Sequence, residues 1–96
     1  MTSKQRAYLR SMAQNIPAIL QIGKNGLNDN LIKQVDDALE ARELIKLTLL
    51  ETIPEEKNIL AEELVLKTNS FLVQIIGNKI TLFRKKKKNS KIELPE

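Results

Sequence analysis

The sequence predicts a single α/β domain in the order helix, strand, helix, strand, helix, strand, strand. Three observations predict it. Apolar residues switch repeatedly between helical spacing and short β-like runs, proline and glycine sit at the switches, and a Gly77-Asn78 pair joins the last two runs as a hairpin. Two successive strand–helix–strand units imply parallel neighbours, and the closing hairpin adds an antiparallel strand. The expected sheet is therefore mixed and four-stranded, with three helices packed on it.

Thr2 and Gln5 have capping-box spacing, and Leu9, Met12, Ala13 and Ile16 recur on one helical face until Pro17 ends it. Residues 18–22 are a short apolar run suited to a buried strand, broken by Gly23-Lys24-Asn25-Gly26. Asn28 or Asp29 can cap a second helix, whose Leu31, Ile32, Val35 and Leu39 form its apolar stripe. Residues 43–50 alternate as a strand, with Ile45, Leu47 and Leu49 on one face. Leu44 and Leu50 on the other suggest a strand covered on both sides. Thr52 and Glu55 repeat the capping-box spacing, with Pro54 between them, ahead of a third helix reaching about Lys67. Residues 71–76 and 79–84 are the final strands. The domain is expected to span residues 1–85, and residues 86–96 to form a basic and polar disordered tail.

A chain of 96 residues with 42% hydrophobic and 29% charged residues suits one folded domain with its own core. Without cysteine there is neither a disulfide framework nor thiolate chemistry, which fits a reducing compartment. No apolar run approaches the ~20 residues needed to span a bilayer. Lys4, Arg6 and Arg10 interrupt what a secretory signal would need, so a cytoplasmic, membrane-free protein is expected. With no histidine or cysteine, the commonest bases, thiol nucleophiles and zinc ligands are missing, and Ser3, Ser11, Ser70 and Ser90 lack a histidine to activate them. Neither enzyme activity nor a metal or cofactor is expected. The acidic residues Asp36, Asp37, Glu40, Glu43, Glu55, Glu56, Glu62 and Glu63 read as a solvated helical face.

The net charge of +4 hides a sharp segregation. Residues 1–28 carry four basic side chains and no acid, residues 29–63 four against ten acids, and residues 64–96 eight against two. If folding joins the ends, one face is positive and draws a polyanion. The loop at residues 23–26 is the natural centre of such a face. Glycines let backbone approach a ligand closely, a helix N-terminus favours phosphate, Lys24 adds a cation and Asn25 a carboxamide. On shape alone a plain strand-to-helix turn explains the glycines slightly better. The embedded lysine and the basic flanks tip the reading towards RNA backbone. The loop lacks the Gly-Lys-Ser/Thr of a nucleotide triphosphatase and the third glycine of a dinucleotide fingerprint. A KH domain also grips nucleic acid with Gly-x-x-Gly, but there the loop joins two helices. Of the aromatics, Phe71 and Phe83 read as core, and Tyr8 as core in preference to a stacking residue.

Three stretches in order carry a family resemblance: residues 3–10 (SKQRAYLR), 21–27 (QIGKNGL) and 74–84 (QIIGNKITLFR). Together they resemble the CRM domain family, chloroplast RNA splicing and ribosome maturation, over about residues 2–85. A single short copy looks like the bacterial stand-alone, YhbY-type members. The resemblance implies a compact α/β fold related to the C-terminal domain of a bacterial translation initiation factor. It also implies RNA binding and association with ribosomal RNA in precursors of the large ribosomal subunit. The family loop falls on Gly23, Lys24, Asn25 and Gly26, its basic first helix on Lys4, Arg6 and Arg10, and its basic strand end on Arg84. Asn25 departs from the small residue, often glycine, of many members. Lys85 extends the positive surface. The run Lys85–Lys88 lies outside the resemblance and reads as a phosphate-binding arm, a nuclear-targeting-like patch or a solubilising tail, expected to add affinity that falls with salt and little selectivity. A monomer is expected. The reading from another class is a protein–protein adaptor whose acidic helices meet a basic partner, such as a ribosomal protein.

Overall fold

The computed structural model describes residues 1–23, 25–50 and 56–96. Helix α1 (Ser3–Ala13) starts at the expected capping box: the Thr2 hydroxyl accepts from Gln5 N–H at 3.1 Å, and the Gln5 carboxamide accepts from Thr2 N–H at 3.0 Å. Strand β1 (Leu20–Ile22) follows, shorter than the apolar run that predicts it. Helix α2 (Asp29–Arg42) is capped by Asn28, whose side-chain oxygen accepts from Leu31 N–H at 2.8 Å. Strand β2 (Leu44–Leu49), helix α3 (Lys57–Thr68), and strands β3 (Phe71–Ile76) and β4 (Lys79–Phe83) complete the order. The expected capping box at Thr52 and Glu55 lies outside the described residues. Asn69, left-handed at φ +53°, ends α3.

The sheet runs β1-β2-β4-β3. β1 and β2 are parallel, as expected. β2 and β3, however, are not neighbours: β4 folds back between them and pairs antiparallel with both. Burial explains the insertion. Ile80, Thr81, Leu82 and Phe83 are all buried, so β4 needs cover on both sides, whereas β3 has exposed ends and a register shift near Leu72 that suit an edge.

Two cores flank this sheet. On one side α2 and α3 place Leu31, Val35, Leu39, Leu60 and Leu64 against Ile45, Leu47, Ile80 and Leu82. On the other, α1 sets Leu9 and Ala13 on Leu44, Val73 and Phe83. An isolated helix of 11 residues is marginal in water, and burying Leu9 contributes about 2 kcal/mol to holding it. α1 covers only the end of the sheet where β2 begins. Lys46 and Thr48, next along the same face of β2, are half-buried, so β2 is covered fully on one face and partly on the other. Phe83 is core, but Phe71 and Tyr8 are 49% and 41% exposed and belong to the surface.

The segment after β4 lies against the domain, where its composition suggests disorder. Ile92 and Leu94 pack on the α1 core, and the Gln5 carboxamide donates to the Pro95 carbonyl at 3.0 Å. The physical reason is a buried acid. Glu43, at the α2–β2 junction, is only 1% exposed and not part of a solvated face. Its carboxylate accepts from Ser90 Oγ and Lys91 N–H, both at 2.6 Å, and from Lys86 N–H at 3.2 Å and Ile92 N–H at 3.3 Å.

Candidate nucleic-acid interface

Between β1 and α2 the chain turns where Gly26 N–H donates to the Gly23 carbonyl at 2.9 Å. Gly26 has φ +63°, where a side chain is strained. Gly23 is different. A Cβ there would meet Leu50 Cδ1 at 3.5 Å, an ordinary contact. The fold thus requires glycine at 26 but not at 23. Gly26→Ala is expected to cost about 1 kcal/mol, and Gly23→Ala to stay within about 0.5 kcal/mol of the parent. Urea denaturation of both variants measures this, and equal losses would refute the distinction.

The turn faces α2 at its N-terminus, but that end is not an unopposed anion site. Asn28 already takes one amide, and Asp29 places a carboxylate in the first turn. Positive charge must come from elsewhere. Lys24 lies outside the described residues. Lys4, Arg6 and Arg10 are exposed on α1, and Lys85 shares a surface depression with Gln5, Ser90 and Glu93. Folding therefore does bring the basic ends together, at α1. The turn, however, follows Ile22, which pairs with Leu49, whereas α1 sits on Leu44. The length of β2, about 17 Å, separates the two.

Two lysines that sequence reading missed lie along that gap. Lys46 projects to the α1 side, since Ile45 and Leu47 project to the other, and it pairs with Thr81. Lys79 pairs with Thr48 on the same face, its Nζ 3.2 Å from Thr48 Oγ1. Counting charge by stretches consigned Lys46 to the acidic middle. Strand alternation was the signal that could have recovered it. The described path from turn to α1 is thus Gln21, Thr48, Lys79 and Lys46, polar or basic throughout.

A family model for the CRS1 / YhbY (CRM) domain matches residues 1–84. The chain belongs to this family. The CRM domain here is 53% identical over 95 residues, 99% of each chain, to a Bacillus subtilis (strain 168) protein named "Probable RNA-binding protein YqeI". It is 30% identical to a Haemophilus influenzae protein named "RNA-binding protein", over 99% of this chain and 95% of that one. Among solved structures, the solution structure of SAV1595 from Staphylococcus aureus matches with a TM-score of 0.83 and 54% identity, covering 99% of both chains.

Arg84 occupies a different place in the CRM domain from the other expected contacts. Its guanidinium pairs with Asp36 and, at 3.5 Å, Glu40, and donates to the carbonyls of Thr68 at 2.8 Å and Asp36 at 3.0 Å. With 17% of its side chain exposed, it ties α2 to the end of α3 and softens the acidic face. Asp37, Glu56 and Glu62 remain exposed. Among the described residues no group of three or more potential ligands could hold a metal, and no helix is long and apolar enough to cross a membrane.

Proposed function

We propose that this CRM domain binds RNA, with the turn at residues 23–26 holding backbone and α1 extending the contact. The observation that carries this is Gly23, a glycine the fold does not need, at the mouth of an exposed turn. The names of the relatives support the class of ligand, and the basic route from the turn to α1 supports its polyanionic character. Lys24 and Asn25 would hold phosphate, Lys46 and Lys79 would carry the strand across the sheet, and Lys4, Arg6, Arg10 and Lys85 would receive it at α1. Arg84, committed to its network, supports this surface without facing the strand. The resemblance to stand-alone bacterial members favours ribosomal RNA in large-subunit precursors as the ligand, bound in the cytoplasm by a monomer without turnover. The acidic helices would then face away from RNA and stay available to a basic ribosomal protein.

The double substitution Lys24→Ala, Asn25→Ala is expected to weaken binding to ribosomal RNA fragments about tenfold near physiological salt, with the thermal midpoint unchanged. Fluorescence anisotropy with a parallel thermal melt measures both. Unchanged affinity would remove the turn from the interface. Binding of a ribosomal protein that survives nuclease and is lost on charge reversal of Glu56 and Glu62 would instead favour the adaptor.

A further inference from the structure

We infer that the groove beside the turn is a subsite for one unpaired nucleobase. The inference rests on the RNA-binding reading and adds base recognition to what would otherwise be a grip on backbone. Gly23 and Gly26 border the groove, and the carboxamides of Gln21, Asn25, Asn30 and Gln34 line it with Leu31 and Leu50. Asn28, also in the lining, spends its carbonyl on capping α2. With Asn25 given to the phosphate, Gln21, Asn30 and Gln34 make no side-chain hydrogen bond among the described residues, so their donors and acceptors remain to be matched.

That chemistry suits a base better than a phosphate. A phosphate is a concentrated anion best held by cations or by several converging N–H donors, and a carboxamide offers it an acceptor as well as a donor. A nucleobase edge is neutral and sets donors beside acceptors, the pattern a carboxamide complements with two bonds. Its flat faces are apolar, and Leu50, 39% exposed at the groove wall, offers a surface for one of them. In a duplex the pairing edge is already used, so the occupant is a base in a loop, bulge or end. The open backbone at Gly23 lets the sugar-phosphate chain pass close enough for that base to reach Gln21 and Gln34.

The test uses one single-stranded RNA oligonucleotide that the protein binds, and a series in which each nucleotide in turn is made abasic. With the unmodified protein, one position is expected to lose about tenfold in affinity when its base is removed. In the Gln21→Ala, Gln34→Ala variant that penalty should vanish, while the salt dependence set by the lysines stays. Equal binding of the intact and every abasic strand by the unmodified protein would overturn the subsite and leave RNA binding standing. If no single-stranded RNA binds the unmodified protein, the subsite and the RNA-binding reading both fall. The first comparison needs no variant, so it holds whatever the substitutions do to folding.

Discussion

Replacing Glu43 with alanine is expected to lower stability by about 3 kcal/mol and to free residues 86–96 from the domain. Four donors converge on this one carboxylate, three of them backbone amides of the segment after β4. Bonds to a charged acceptor are each worth about 1.5–3 kcal/mol, but a released segment regains water, so the losses do not simply add. Glu43 also holds φ +67°, a conformation unusual for a residue with a side chain. The carboxylate contacts offset that strain. Burial pushes the Glu43 carboxyl up, while its bonds from Ser90, Lys91, Lys86 and Ile92 pull it down further, leaving it below the ordinary glutamate value. The sign follows from linkage. A depressed carboxyl stabilises the fold fully above its unfolded value of about 4.3, and the contribution is lost as pH falls through the lower folded value. Urea denaturation at neutral and acid pH should show this acid-sensitive share in the parent and not in Glu43→Ala. The Lys91 and Ile92 amide resonances should move to random-coil positions in the variant. If they stay in place, the segment is held by Ile92 and Leu94 alone.

The burial of Glu43 is set at long range. Residue type and spacing identify an acid at the end of a helix, but burial depends on which distant segment returns to cover it, and the partners lie more than forty residues away. Local signals fared better. The Thr2–Gln5 capping box, the Asn28 cap and the alternation in β2 act within a few residues, and the structure has all three. The position of β4 sat between these cases. A Gly-Asn hairpin pairs its two strands whichever one lies inward, so the turn could not order the sheet. The unbroken burial of residues 80–83 does. At the candidate site the glycines were legible as a pair but not by role. Separating them required the φ of Gly26 and the space around Gly23. Alternation puts Lys46 on the face of β2 opposite Ile45 and Leu47, but joining it to Lys79 in one surface takes the register of β2 and β4.

Arg84→Ala is expected to cost about 2 kcal/mol while changing the RNA affinity of the folded protein less than twofold. The side chains of Asp36 and Glu40 are 53% and 43% exposed, so the two ion pairs contribute little in water. The larger share comes from the donors to the Thr68 and Asp36 carbonyls, which brace the C-terminal end of α3 against α2. Arg84→Lys separates this role from a phosphate contact. Lysine keeps the charge but cannot reach two carbonyls and a carboxylate through one planar fork, so it should lose stability nearly as alanine does. A residue acting on phosphate would behave the other way: lysine would preserve RNA affinity, alanine would lose it, and both would melt like the parent. Thermal denaturation and anisotropy titrations on the same two variants decide between these patterns. Parent-like stability with a tenfold loss of affinity in Arg84→Ala would mean that the guanidinium leaves Asp36 and Thr68 to meet RNA.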